Sequence, residues 1–323
     1  MGTKLYDEFK PGDTALDGVP LPYPGWVEQM TGCAPSVAQA LLPYPQFCSA
    51  LAGLNENAGN STYHSFQVKA EKRFSHGAYL LASYTLSKLL TSSDHVDQPA
   101  GGGVWSGSQG VISPFERHRN KGLAVTDVPQ VLSVAFLYEL PFGSSKRFLN
   151  ASGIADRVFG GWKVSGTFRA SGGVPFFFRS SEFCNVPGQF RVGCIPAIKP
   201  GANPFAQDRS NFDPNKPFFN KDAFEPIDSF NFYYGSGPRM TDLRGFGYHN
   251  TDFSLMKETR ISETVRFEVR AEFFNLFNWH IFNVSGTWGD GAFTNDLASP
   301  NFGLWNGAVS DPRKVQVGAR ISF

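Results

Sequence analysis

The sequence lacks both a long hydrophobic run and a net charge of any size. A membrane-spanning helix needs about eighteen consecutive apolar residues. No stretch of this sequence approaches that length, which excludes such a helix. The formal net charge is +1, so electrostatics give no reason to expect nucleic acid as the main partner. The low mean hydropathy still allows a membrane β-barrel, because only every second residue of its strands faces lipid.

Sequence motifs of the common enzyme classes are absent as well. There is no G-x-S-x-G or H-E-x-x-H motif, no P-loop and no dinucleotide-binding fingerprint. The glycine-rich stretches 101–103 and 160–161 do not lead from a strand into a helical pattern. Four histidines stand alone in the sequence: His64, His76, His249 and His280. We therefore expect a protein that is not an enzyme and has no cofactor.

Cysteine is scarce, and its four copies fall in two close pairs, Cys33/Cys48 and Cys184/Cys194. Neither pair has C-x-x-C spacing and no histidine pair lies nearby, which argues against zinc. Local pairs in surroundings rich in proline and glycine suit loop disulfides in an oxidising compartment. The alternative is four free thiols, and the sequence leaves this choice open.

The N-terminal residues show neither a leader segment nor a clean strand. Residues 1–8 have no basic segment followed by an apolar run, so they do not form a secretory signal peptide. We predict that residues 1–60 are a loop-rich segment, an extracellular loop of a barrel. Residues 61–323 are then expected to supply the strands and the remaining loops.

The informative pattern is a period of two, the spacing at which successive strand side chains point to opposite faces. Seven segments show it: 66–74, 80–86, 132–140, 162–170, 253–261, 265–273 and 315–323. Their opposite faces mix charges of both signs, as at Arg266, Glu268 and Arg270. Such faces suit a hydrated lumen in which neighbouring strands form ion pairs. The alternative is a soluble sandwich, whose strands are usually shorter than these. About ten residues is the length of a tilted membrane strand.

The connections between these segments alternate between short and long. Short connections are expected at 75–77 and 262–264 and long ones at 89–130, 180–250 and 279–312, with 141–161 of intermediate length. Outer-membrane barrels have short periplasmic turns and long extracellular loops. The predicted fold class is therefore all-β: an antiparallel transmembrane β-barrel segment of about seven or eight long strands with long extracellular loops.

Aromatic residues lie near the ends of the predicted strands. At the expected periplasmic ends these are Phe74, Tyr79, Phe142, Trp162 and Phe323. At the opposite ends they are Phe176, Phe177, Phe178, Phe277 and Trp279. This distribution predicts two interfacial girdles, in which amphipathic rings lie at the level of the lipid headgroups. The alternative is a core aromatic cluster.

Several stretches are similar to the C-terminal barrel of TonB-dependent receptors, specifically the Oar-like group of acidobacterial genomes. The similarity covers roughly residues 40–323. The stretches are Leu42-Pro43-Tyr44-Pro45-Gln46-Phe47, Asn60-Ser61-Thr62-Tyr63-His64-Ser65-Phe66-Gln67, Leu243-Arg244-Gly245-Phe246-Gly247, Arg270-Ala271-Glu272-Phe273-Phe274-Asn275-Leu276-Phe277-Asn278 and Val317-Gly318-Ala319-Arg320-Ile321-Ser322-Phe323. The terminal Phe323 on an alternating strand resembles the signal that the outer-membrane assembly machinery reads.

The resemblance implies energised uptake, or export, of a scarce solute across the outer membrane of a Gram-negative bacterium. Family members take up iron chelates, cobalamin, glycans or peptides. In them a plug fills a barrel of about 22 strands and is moved by the TonB complex. The present sequence shows no plug and about a third of the strands, so we expect an incomplete part of such a barrel that does not transport alone. Its expected partners are outer-membrane lipid, the assembly machinery, an unknown solute and the TonB complex through a plug.

Two loop clusters could contact a solute. Asp94, His95 and Asp97 form a carboxylate–imidazole group of the kind that binds cations. Arg117, His118 and Arg119 could meet an anionic ligand or lipopolysaccharide. In both cases the alternative is a solvated polar loop. Loops of this length are usually functional, so any solute contact is expected in 89–130 or 180–250.

The sequence also leaves room for two functions of other classes. One is a non-transporting structural or adhesive outer-membrane barrel whose long loops are the binding surface. The other is a soluble, secreted, β-rich binding protein, in which the apolar strand faces would pack against each other.

Overall fold

Seven long strands dominate the described part of the chain. The computed structural model describes residues 2–48, 59–75, 77–92, 117–144, 146–148, 153–180, 195–226, 235–282 and 292–323. The strands are β1 (Ala15–Leu16), β2 (Val19–Pro20), β3 (Ser61–Ser75), β4 (Ala78–Thr91), β5 (Gly122–Leu123), β6 (Gln130–Glu139), β7 (Trp162–Ser171), β8 (Tyr248–Arg260), β9 (Arg266–Phe274) and β10 (Lys314–Ser322). The seven predicted strands are confirmed as β3, β4 and β6 to β10.

The long strands form one antiparallel sheet. Its order is β10-β9-β8-β7-β6-β4-β3, and the short β5 lies beside β4. Long strands that follow one another in the chain are thus neighbours in the sheet. Strands β3 and β10 each have one partner within the described residues, so this sheet is open. The fold class is that of an antiparallel barrel segment, as predicted.

The connections lie at opposite ends of the sheet according to their length. The β3–β4 turn 76–77, the β8–β9 turn 261–265 and the β6–β7 connection 140–161 are at one end. The connections 92–129, 172–247 and 275–313 are at the other end, because successive strands are antiparallel. The alternation of short and long connections that the sequence predicts is confirmed. Gly77, with φ of 75°, completes the tightest turn, in a conformation that other residues adopt at a cost.

The strand register joins the predicted apolar faces into one continuous surface. Phe66 lies opposite Leu86, and Val317 lies opposite Ala271. All the hydrophobic side chains that are buried in the described residues lie outside the seven long strands. A soluble sandwich builds its core from strand side chains, so this sheet does not have the packing of one.

Residues 2–48 form a small folded unit. It contains a 3-10 helix (Gly2–Tyr6), the β1–β2 hairpin and the helices α1 (Trp26–Gln29) and α2 (Val37–Ala40). Trp26 is fully buried and meets the ring of Phe9 edge-on, with 5.6 Å between ring centroids. A disulfide joins Cys33 to Cys48 with their Cα atoms 5.4 Å apart. The segment has a core of its own, and its position as an extracellular loop of the barrel stays a prediction.

Helices have a minor part in the described fold. The β6–β7 connection carries α3 (Ile154–Phe159), and three further 3-10 helices lie in loops, at Arg117–Asn120, Arg209–Asn211 and Lys221–Ala223. No helix in the described ranges has the length and apolar character to cross a membrane. The second predicted cysteine pair, Cys184 and Cys194, lies outside the described residues.

Candidate functional site

The two longest connections fold together above the sheet. We call their described residues, 172–180, 195–226, 235–247 and 292–313, the loop cap. Its core is made of phenylalanine rings. The rings of Phe178 and Phe219 pack edge-on with 4.9 Å between their centroids, and the ring centroid of Phe219 lies 5.5 Å from that of Phe293. Because Phe293 belongs to the β9–β10 connection, the core ties two loops together. Full burial of one such side chain contributes about 1.5–3 kcal/mol, so the cap is a packed structure.

This core corrects part of the predicted aromatic girdle. Phe176, Phe177 and Phe178 are buried, so their interfacial position was wrong, and for Phe176 and Phe178 the alternative, a core aromatic cluster, is right. The chain leaves β7 and pairs with the returning loop, since Phe176 N–H donates to Leu243 O at 2.9 Å. The segment therefore rises into the cap and does not lie against the membrane.

Phe277 and Trp279 lie just beyond the end of β9. The Phe277 side chain is 59% exposed, and its ring lies 4.9 Å from that of Trp279. Trp162, at the start of β7, is half-buried at the other end of the sheet. Their role as interfacial aromatics stays a prediction.

A buried arginine joins the cap to the sheet. Arg239 is 1% exposed, and its guanidinium donates to Thr91 O at 2.9 Å, Asn120 O at 2.7 Å and Leu123 O at 3.2 Å. These carbonyls lie at the end of β4 and in the segment that follows it. Buried charge is tolerated where hydrogen bonds satisfy it, so Arg239 acts as a structural clasp.

A buried ion pair makes a second clasp nearby. Asp127 is buried; its Oδ1 accepts a hydrogen bond from Leu89 N–H, and its Oδ2 accepts one from Arg244 Nη2, both at 2.5 Å. Arg244 belongs to the stretch 243–247, in which the chain returns from the cap to β8. A Cβ atom on Gly173 would come within 2.1 Å of Gly245 O, so glycine is required where the two segments cross.

The predicted basic cluster directly precedes Asn120, whose carbonyl accepts a hydrogen bond from Arg239. Arg119 Nη2 donates to Gly235 O at 2.5 Å and to Gly237 O at 3.5 Å, so it holds the cap. His118 is exposed, and the side chain of Arg117 lies outside the described part. A structural role accounts for Arg119, and the binding of an anionic ligand by this cluster stays a prediction.

The predicted acidic cluster, Asp94, His95 and Asp97, lies outside the described residues. Within the described residues no group of histidine, cysteine and acidic side chains could hold a metal ion. Sequence reasoning missed Asp127 and Arg239, because single charged residues in long loops carry no pattern that separates a buried clasp from a solvated side chain.

The stretch 270–278 ends β9 with two left-handed asparagines. Asn275 has φ of 53° and Asn278 has φ of 54°, a conformation that asparagine tolerates better than most residues. Buried Asn275 donates to Trp279 O at 2.9 Å and to Asp311 O at 3.1 Å, and its Oδ1 accepts from Trp279 N–H at 2.9 Å. The asparagines therefore fix the direction in which the chain leaves β9 and enters the β9–β10 connection.

At the opposite end, the charged sheet face carries a row of ion pairs across four strands. Lys163 Nζ lies 3.7 Å from Glu139 and 3.3 Å from Glu258, and Glu258 lies 3.4 Å from Arg266. The sequence predicts ion pairs between neighbouring strands, and of the residues on which that prediction was based Arg266 makes one here. Such partly exposed pairs contribute about 0–1 kcal/mol each. Glu139, Lys163 and Glu258 line a cleft of about 640 Å³ beside the β6–β7 connection.

The antiparallel sheet agrees with the comparison of the chain with known families. The model of a family described as "Outer membrane beta barrel domain" matches residues 8–316. No curated protein matches the chain. The family match includes most of the small N-terminal unit, the cap and nearly all of the sheet. The chain therefore belongs to the outer membrane beta-barrel domain family, and its location is the cell outer membrane.

Proposed function

We propose that the chain forms part of the wall and the extracellular cap of a TonB-dependent receptor that takes up, or exports, a scarce solute. The observation that carries the proposal is the combination of a charged sheet face with a packed cap above it. A face of mixed charge suits a hydrated lumen, and a long packed loop suits a binding surface. We propose no catalytic activity.

The motifs that resemble this receptor group have defined positions in the fold, which supports the proposal. Arg244 joins the cap to the sheet, and Asn275 and Asn278 shape the exit of β9. These residues connect the cap to the barrel wall. Such connections suit a receptor in which the loops hold a fixed position over the lumen.

The open edges of the sheet bear on how such a receptor is completed. Backbone groups that lack partners in lipid cost several kcal/mol each, so membrane sheets close into barrels. We propose that β3 and β10 pair with further strands of a barrel of about 22 strands. A plug within that barrel would link it to the TonB complex, and the charged face would then meet the plug.

A non-transporting structural or adhesive barrel is the second candidate. The phenylalanine core of the cap favours it equally, because a rigid loop surface also suits adhesion. A soluble secreted protein, the third possibility, is incompatible with the outer-membrane location. TonB dependence separates the two remaining candidates.

The experiment compares uptake in four strains: the parent, a deletion of this gene, a deletion of tonB, and the double deletion. Labelled iron chelates, cobalamin, glycans and peptides are supplied at limiting concentration. The proposal predicts that both single deletions lose uptake or export of one shared solute and that the double deletion loses no more. Surface adhesion that depends on this gene and not on TonB would contradict it and favour the adhesive barrel.

A further inference from the structure

The β6–β7 connection carries an apolar helix face that the described protein leaves uncovered. In α3, Ile154 is 80% exposed, and Val158 and Phe159 are 52% and 53% exposed. Ile154 and Val158 are four residues apart and therefore lie on the same face of the helix. A helix that packs on a soluble core would bury this face.

The end of α3 is hydrogen-bonded to the rim of the apolar sheet surface. Trp162 and Lys257 lie opposite each other in β7 and β8, on the face that carries Val164 and Leu255. The Trp162 indole N–H donates to Val158 O at 3.3 Å, and Lys257 Nζ donates to Gly160 O at 2.5 Å. The helix face is therefore continuous with the surface of the barrel that faces lipid.

The charges around α3 fit a lipid headgroup layer. Arg147 and Arg157 are exposed, and the guanidinium of Arg147 lies 5.4 Å from the centroid of the Phe148 ring, whereas Lys146 pairs with Glu139 at 3.1 Å. The one acidic side chain in the described part of the connection, Asp156, is engaged, because its Oδ1 accepts a hydrogen bond from Ser144 N–H at 2.5 Å. Basic side chains beside an apolar face are typical of helices that lie in the interface of a membrane with anionic lipids.

We propose that α3 is an in-plane membrane anchor that binds phospholipids of the periplasmic leaflet. Ile154, Val158 and Phe159 lie among the upper parts of the acyl chains. Arg157 and Arg147 lie at the level of the phosphates. The connection 140–161 is thus held flat against the membrane at the periplasmic end of the barrel, where the other described connections are tight turns.

The test places a tryptophan on the helix face of the full chain. Phe159→Trp is compared with Glu263→Trp, which lies in the β8–β9 turn at the same end of the sheet. Both are reconstituted in phosphatidylethanolamine–phosphatidylglycerol vesicles with and without a phosphatidylcholine brominated in the upper part of its acyl chains. The emission of each introduced tryptophan is obtained by subtracting the spectrum of the wild-type chain. Quenching of the wild-type tryptophans by the brominated lipid serves as the control that the sheet has inserted.

The anchor predicts that the Phe159→Trp emission is blue-shifted and that the brominated lipid removes most of it. The Glu263→Trp emission is expected to stay that of a tryptophan in water and to be nearly unquenched. Ile154→Trp repeats the test at a second position, in case one substitution disturbs the helix. Unquenched emission from both helix positions in inserted protein would overturn the proposal and indicate that a protein partner or water covers this face.

Discussion

The Arg244 guanidinium donates to the carboxylate of Asp127 across 117 residues of sequence, and this buried pair lies where the loop cap meets the sheet. Asp127 is almost completely buried, and Arg244 is largely buried. The backbone N–H of Leu89 completes the set by donating to the same carboxylate. The position of the cap over the barrel wall therefore depends on a few polar contacts that involve the end of β4.

Arg244→Met is expected to loosen the cap. The substitution leaves the Asp127 carboxylate buried without its cation, at a cost of about 3–5 kcal/mol. Hydrogen exchange should speed up in residues 172–180 and 235–247, while the long strands keep their protection. Lys216→Met is the matched control, because Lys216 makes an exposed ion pair with Asp213 that contributes about 0–1 kcal/mol. Equal exchange in the two variants would contradict a clasp.

Phe219→Ala is expected to destabilise the cap core. Phe219 touches the rings of Phe176, Phe178 and Phe293, and truncation of a buried phenylalanine costs about 3–5 kcal/mol. Limited proteolysis should cut the variant within the cap well before the wild type. Phe277→Ala removes an exposed ring and should leave this cleavage rate unchanged; a rate as high as that of Phe219→Ala would argue against a packed cap.

Cys33→Ser is expected to destabilise the N-terminal unit and no other part of the chain. The disulfide with Cys48 closes a loop of 15 residues, for which the loss of chain constraint costs about 3 kcal/mol. Thermolysin should cut residues 2–48 faster in the variant, and reduction of the wild type should give the same increase. If reduction leaves the wild-type cleavage rate unchanged, the bridge does not stabilise this unit.

Deletion of Phe323 is expected to lower the amount of protein assembled in the outer membrane. Its side chain is 98% exposed, so the loss of packing within the chain is small. An effect on assembly would then report recognition by the assembly machinery. Phe323→Tyr keeps an aromatic ring and should assemble normally. Normal assembly of the deletion variant would remove the support for a C-terminal signal.

The strands could be predicted from the sequence because their pattern is local. Alternation is visible within ten residues, and the register then joins the apolar faces without further information. The sequence pattern places the start of β3 too late, since the strand begins at Ser61 and not near Phe66. The polar residues of this strand's outer end, such as His64 opposite Lys88, continue the ladder without the apolar face.

The cap could not be predicted because its contacts join distant residues. Arg239 binds Asn120 over 119 positions, and no spacing in the sequence marks that pair. Phe176, Phe177 and Phe178 stand at a strand end, where a girdle is the usual interpretation. The burial of Phe176 and Phe178 depends on Phe219 and Phe293, which other parts of the loops supply.

The orientation of the sheet in the outer membrane is tested most directly by epitope access in intact cells. An epitope is inserted after Asn215, an exposed residue of the cap, or after Glu263 in the β8–β9 turn, with the gene expressed from its own locus. The cap epitope should bind antibody on intact cells, and the turn epitope should bind only after the outer membrane is permeabilised. Access to the turn epitope on intact cells, or none to the cap epitope, would contradict a sheet that crosses the membrane with its long loops outside.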